Sequence, residues 1–155
     1  MTKYVLAVDP GKATGIVLMS WNGEDPVPNV IISKEVQPEE FAMTIETILN
    51  IQKQESNFTV VCERFTINAQ TVLNSQAPYS LEQIGVLKHL CRTNMYDPEK
   101  IVFQSPADAK NMFPNPTLKK LGTWHVGGEG HANDAMRHAL LRLVKTGWVP
   151  RTLLD

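Results

Sequence analysis

The sequence predicts an α/β fold built on one five-stranded mixed sheet with helices on both faces. Three observations carry that reading. The patterned segments fall in the order β-β-β-α-β-α-β-α, the segment Phe58-Thr59-Val60-Val61-Cys62 is apolar on both faces as a doubly covered strand must be, and no repeat or linker divides the chain. A length of 155 residues suits one domain, 1–155, able to bury roughly 68–70% of the surface its unfolded chain would expose.

Tyr4 to Val8 is a short apolar run stopped by Asp9-Pro10-Gly11, and Ile16 to Met19 resumes it after the turn, as in a hairpin. Val30-Ile31-Ile32 with Val36 gives a third strand, so three antiparallel strands open the fold. From Pro38 the spacing turns helical, with Phe41, Ile45, Ile48 and Leu49 on one side and Glu39 and Glu40 in the first turn. The doubly apolar strand follows and ends at Glu63. After a polar stretch from Arg64 to Pro78, Leu81, Ile84, Leu87, Lys88 and Cys91 trace a second helix with Ser80 as its N-cap, and Ile101-Val102-Phe103 forms the last strand. Residues 105–130 carry prolines and glycines suited to turns and short helices. A final helix runs from about His131 to Lys145, packed through Ala132, Ala135, Met136, Ala139, Leu140 and Leu143 and ended by Gly147.

Hydrophobic residues make up 43% and charged residues 20%, which excludes disordered, collagenous and disulfide-scaffold classes. Cys62 and Cys91 have no C-x-x-C spacing and read as core thiols in a reducing compartment. No apolar run reaches the ~18 residues of a membrane span, and the N-terminus has no signal-peptide pattern, so a cytoplasmic protein without membrane association is expected. The formal charge of −1 conceals two unlike halves: residues 1–78 hold five basic and nine acidic side chains, and residues 79–155 hold ten basic and seven acidic.

Asp9 ends the first strand and Glu63 the fourth. Ligands of open α/β sheets sit at the carboxyl ends of strands, so if these strands are adjacent and parallel, the two acids face one crevice. They would then raise each other's pKa unless a divalent cation neutralised them, and such oxygen-rich clusters suit Mg²⁺ or Mn²⁺. A third acid lies in Gly127-Gly128-Glu129-Gly130-His131-Ala132-Asn133-Asp134-Ala135, where His131 and Asp134 share one helical face and the alanines allow close approach to the sheet. Taken alone, Asp9 suits a turn, Glu63 a surface strand end and Asp134 a helix N-terminus. Three such acids at one end of one sheet point instead to a shared site.

Val8-Asp9-Pro10-Gly11 with Thr14-Gly15, then Val61-Cys62-Glu63, then His131-Ala132-Asn133-Asp134-Ala135 resembles, in order and spacing, the RuvC-type Holliday junction resolvases of the ribonuclease H-like nucleases. The resemblance runs from Lys3 to about Leu143. It implies a ribonuclease H-like fold and a metal-dependent endonuclease for branched DNA. Two ions per site, Mg²⁺ or Mn²⁺, would be held by Asp9, Glu63, His131 and Asp134, with no organic cofactor. Many members have aspartate where this chain has His131, and the nitrogen ligand favours Mn²⁺. His131 either ligates or holds the attacking water as a base. His138, four residues past Asp134, is a rival ligand or a packed, hydrogen-bonded histidine.

Ser105-Pro106-Ala107-Asp108-Ala109-Lys110, with Lys119 beyond it, looks like the family's basic segment. Lys110 is therefore placed in the catalytic and DNA-binding sets, and Lys119 and Lys120 in the DNA-binding set. Lys88, Arg92, Arg137, Arg142 and Lys145 are further candidates for phosphate contacts. Arg64-Phe65 directly follows Glu63. Phe65 either stacks on an unpaired base or packs under its loop, while Asn68, Gln70, Asn74, Ser75 and Gln76 bring no acid to that loop.

The family acts as a two-fold dimer through its second helix. Here Leu81, Ile84, Leu87 and Leu90 could serve that interface or the sheet, so a homodimer is an expectation. Rival readings are a flap, fork or RuvX-like nuclease on other DNA or RNA structures, a sugar kinase or actin-like ATPase on Asp9-x-Gly11-x-x-Thr14-Gly15, and a non-catalytic DNA-binding module. The kinase reading needs a second domain for which this length has no room.

Overall fold

A computed structural model describes residues 1–52, 54–73 and 77–154. The elements are β1 (Lys3–Asp9), β2 (Thr14–Trp21), β3 (Asn29–Val36), α1 (Pro38–Gln52), β4 (Phe58–Glu63), α2 (Ala69–Val72), α3 (Ala77–Thr93), β5 (Val102–Gln104), α4 (Pro106–Met112), α5 (Asn115–Leu121) and α6 (His131–Lys145). Single 3₁₀ turns lie at Pro98–Lys100 and Arg151–Leu153.

The sheet order is β3-β2-β1-β4-β5. β1, β2 and β3 pair antiparallel, whereas β4 runs parallel to β1 and β5 parallel to β4. Alternation along the strands divides the core in two. Val5, Ala7, Val17, Met19 and Val61 pack under α6 and the α4–α5 segment. Leu6, Val8, Ile16, Leu18, Val60 and Cys62 pack against α1 and α3. Both cysteines are free and buried.

That alternation also aims the polar residues. Val8 is registered with Cys62, so Asp9 and Glu63 stand level at the carboxyl ends of adjacent parallel strands. Asp9 has the parity of Val5 and Ala7, Glu63 that of Val61, and Gln104 pairs with Glu63. All three side chains therefore emerge on the α6 face. The alanines of α6 are fully buried there. Gly15 is the closest approach, since a Cβ on it would lie 1.9 Å from the His131 carbonyl oxygen.

Two local expectations are corrected. α3 begins at Ala77, so Ser80 is inside the helix and not its cap; its hydroxyl donates to the Pro10 carbonyl at 3.1 Å, pinning α3 to the β1–β2 turn. The polar stretch from Arg64 to Pro78 contains α2, started by a capping box in which Asn68 accepts from the backbone N–H groups of Gln70 and Thr71. Asn74, Ser75 and Gln76 of that stretch lie outside the described residues. Leu87 and Leu90 of α3 are buried, Ile84 is partly buried and Leu81 is exposed, so the apolar stripe largely serves the sheet.

Candidate active site

The site is assembled by three separate parts of the chain. β1 and β4 supply Asp9 and Glu63, and the first turn of α6 supplies His131 and Asp134. No side chain caps α6 from its own leading loop, whose last residue, Gly130, has φ +95°. The cap comes from β3. The Glu35 carboxylate accepts from the backbone N–H of Glu129 at 2.9 Å and of His131 at 3.2 Å, which favours negative charge where the helix leaves N–H groups unpaired. A Cβ on Gly128, at φ +72°, would sit 2.7 Å from that carboxylate. Glu35 is a site-building residue with no local sequence signal, since its partners are more than ninety positions away.

His131 Nδ1 and Asp9 Oδ2 are 3.1 Å apart. One ligand atom each from Asp9, His131 and Asp134 lies within 4.8 Å of the others, close to the span of groups around a single ion with bonds of about 2.0–2.2 Å. Glu63 adjoins this group and touches Asp9 and His138. His131 Nε2 also faces Glu129 Oε2 at 3.9 Å.

The electrostatics describe a charge surplus in search of a cation. Burial pushes the Asp9 carboxyl well above the usual aspartate range; the His131 contact opposes this, and Glu63 and Asp134 add to it. Asp134 is raised first by burial, against the pull of Arg137. For Glu63 burial also acts upward, but His138, Asp9 and the Lys110 charge outweigh it and hold the carboxyl below its ordinary value. His131 is raised chiefly by its bond to Asp9. Three carboxylates and an imidazole at one strand edge fit a hard divalent ion that accepts one nitrogen ligand, so Mg²⁺ or Mn²⁺ suits the donors present.

His138 is buried and supports Glu63. The Gln104 amide nitrogen donates to the His138 carbonyl at 2.9 Å and lies 3.1 Å from Nδ1. A carbonyl only accepts, so the amide nitrogen must face it and Nδ1 is left as an acceptor. Nε2 then carries the hydrogen and donates to Glu63 Oε2 at 3.3 Å. Of the two sequence readings of His138, the hydrogen-bonded one is what the structure shows.

The basic residues divide. Lys110, on α4, lines a cavity with Asp134. Lys119 holds its ammonium 4.7 Å from the ring centre of Trp124, which lines the same cavity. Lys120 is exposed in the same helical turn. Arg64 is exposed beside Glu63, and its backbone N–H donates to the Gln104 carbonyl at 2.8 Å. Phe65 is half-buried.

Arg137 departs from the expectation of a surface phosphate contact. It is 6% exposed. Nε donates to the Phe113 carbonyl at 2.8 Å, Nη1 to Asp134 Oδ1 at 2.6 Å, and Nη2 to Asn115 Oδ1. Arg142 lies towards the opposite end of the sheet, where it lines a cavity with Lys3 and Thr146.

No protein-family model matches the sequence, and no curated protein matches it. Solved structures do. Thermus thermophilus RuvC superposes with a TM-score of 0.69 at 16% identity, covering 96% of this chain and 98% of that one. The same protein in complex with Holliday junction substrate gives 0.65 at 15% identity over 94% and 96%. Fowlpox virus resolvase with Holliday junction DNA gives 0.52 at 8% identity over 91% and 99%. Together with the strand order and the two-faced helical cover, these likenesses establish that the chain has the RuvC-like, ribonuclease H-type α/β fold.

Proposed function

We propose that this chain is a divalent-metal-dependent, structure-selective endonuclease that cuts branched DNA as a Holliday junction resolvase. The observation that carries the reading is the convergence of Asp9, His131 and Asp134, with Glu63 beside them, at the carboxyl edge of β1 and β4. Two solved structures of the same fold, Thermus thermophilus RuvC and fowlpox virus resolvase, hold Holliday junction DNA, and the resemblance of the sequence motifs points the same way.

Asp9, Glu63, His131 and Asp134 are the residues that would hold Mg²⁺ or Mn²⁺, two ions per site. Bound there, the ions supply Lewis acidity towards the phosphate oxygens and lower the pKa of the attacking water. The protein's own part is positioning. Asp9 orients His131 through Nδ1, leaving Nε2 for a ligand or for the proton of the attacking water. His138 and Gln104 fix Glu63, and Arg137 fixes one oxygen of Asp134 while leaving the other available. Lys110 faces the same edge and carries positive charge to where a phosphate would sit. Lys119, Lys120 and Arg64 would extend that surface, and Phe65 would meet an unpaired base. Paired incision of a four-way junction requires two copies, so the active form is a homodimer.

The test is a panel of labelled four-way junction, flap, fork, duplex and RNA substrates with Mg²⁺, Mn²⁺ or chelator. Symmetric cutting of the four-way junction, lost with chelator and in Asp9→Asn with DNA binding kept, is expected. Preference for flaps, forks or RNA would reassign the substrate. No metal-dependent cleavage of any member, or full cleavage by Asp9→Asn, would overturn the nuclease assignment.

A further inference from the structure

Beside Asp134, α4, α5, α6 and the segments joining them border an open cavity of about 550 Å³, within the ~300–1,000 Å³ range of small-ligand sites. Its walls are of two kinds. Pro114, Pro116 and Trp124 form an apolar side, while Lys110, Asn115 and Arg137 form a polar side of net positive charge, with Asp134 shared with the candidate active site.

Arg137 makes this more than a surface hollow. A guanidinium has five N–H donors, and Arg137 is almost wholly buried, with one donor each directed to Phe113, Asp134 and Asn115. The two left over, on Nη1 and Nη2, belong to a side chain that lines the open cavity, where a ligand oxygen can take the place of water as their acceptor. Asp134 offsets one charge, leaving the Lys110 ammonium and the remaining Arg137 hydrogens for an anion. The Lys119 ammonium over Trp124 adds positive charge at that wall.

We infer that the cavity is a nucleotide subsite. It takes one unstacked nucleotide of the strand being cut, its base against Pro114, Pro116 and Trp124 and its phosphate on Lys110 and Arg137. The inference rests on the nuclease reading and deepens it. A strand must surrender a nucleotide from its stack to fill the site, and a branch point, where stacking is already broken, does so at lower cost than duplex DNA. The cavity thereby favours branched substrates and reads the base next to the cut.

Metal-free protein labelled with ¹⁵N tests this without cleavage. The Trp124 indole signal, assigned by its loss in Trp124→Phe, is followed during titration with thymidine 5′-monophosphate, thymidine or inorganic phosphate. The nucleotide should shift it saturably and more tightly than either part alone, with the Trp21 and Trp148 signals unmoved. Asn115→Asp keeps an acceptor for Arg137 but sets a carboxylate against the phosphate, and should weaken nucleotide binding about tenfold or more. Pro116→Glu, at an exposed helix start, should do the same. An unmoved Trp124 signal, or an equal response to inorganic phosphate alone, would overturn the subsite.

On junction substrates, an abasic residue at one position flanking the cut should slow cleavage about tenfold; uniform tolerance at every flanking position would also overturn it. Failure of the wild type to cut any branched DNA would count against the nuclease reading, while the titration still decides the nucleotide site.

Discussion

The two faces of the sheet are built from the same strands and do different work. The face under α1 and α3 is closed by Leu6, Val8, Ile16, Leu18, Phe41, Ile45, Leu49 and Leu87, and its chemistry is packing. The face under α6 has an equally apolar centre but ends in Asp9, Glu63, Gln104, Asp134, Arg137 and His138. Asp9, Glu63, Gln104, Arg137 and His138 are each held by a side chain or carbonyl from another part of the fold, and Asp134 by Arg137 one turn along α6. Burial of charge costs stability unless it is paired. The α6 face carries that cost at one edge, and the α1–α3 face supplies the apolar burial that offsets it. Stability and site are thus separable by face, which substitutions can break or sharpen.

The sharpest contrast comes from Asp9→Asn. Cleavage should fall by about 10³-fold or more, the loss of roughly 4 kcal/mol of transition-state stabilisation. Unfolding of the metal-free protein should become no easier, because a neutral amide replaces a carboxylate crowded by Glu63 and Asp134. Denaturant curves and single-turnover rates measure the two halves, and a strongly destabilised variant would break the separation. Phe41→Ala, fully buried on the other face, should do the reverse: about 3–5 kcal/mol of stability lost with cleavage per folded molecule unchanged.

A smaller effect is expected from His138→Leu, which removes the donor to Glu63. Divalent-ion affinity should drop about 10–100-fold, read by Mn²⁺ titration calorimetry. His138→Gln, which keeps an amide donor, should recover part of it. Equal loss in both variants would make His138 a packing residue only.

The gentlest test is pH. Asp9 in the folded protein keeps its proton above the ordinary carboxylate range, so between those values the unfolded chain binds fewer protons, and stability falls as pH rises through the window. His131, also raised, contributes stability fully present below its ordinary value and lost as pH rises through its folded one. Both act in the same direction; Glu63, lowered, opposes them by losing stability as pH falls. Metal-free wild type should therefore lose more in Tm between about pH 5 and about pH 8 than Asp9→Asn does. Saturating Mn²⁺ should flatten the difference. Parallel curves with and without metal would show that the carboxylates do not share a cation.

Much of the α1–α3 face was legible because helix and strand periodicities report apolar burial directly: Phe41, Ile45, Ile48 and Leu49 on α1 and the doubly apolar β4 are where the spacing put them. The acids were legible for a related reason, since Asp9 and Glu63 end their strands and His131 and Asp134 open a helix. The supporting residues were not. Glu35 reads as an ordinary position on a hairpin strand, Gln104 falls just past the predicted strand Ile101-Val102-Phe103, and Arg137 reads as one more surface base. Glu35 and Gln104 act on partners distant in sequence, and Arg137, though one turn from Asp134, is held in place by Phe113 and Asn115 more than twenty positions away. Ser80, before an apolar run, looks like a cap, but α3 already starts at Ala77 and the Ser80 hydroxyl donates to the Pro10 carbonyl.

The amino-acid order by itself determined which segments become strands and helices, which faces are apolar, and that acids fall at strand and helix ends, because these follow from local periodicity and backbone preference. Tertiary structure decided that β1 lies beside β4, that Glu35 caps α6, that His138 and Arg137 hold the carboxylates rather than join them, and that a cavity opens next to Asp134. Those outcomes are set by contacts between distant residues, whose energies depend on burial and distance, except the Arg137–Asp134 pair, whose spacing of three is a helical pattern in the chain.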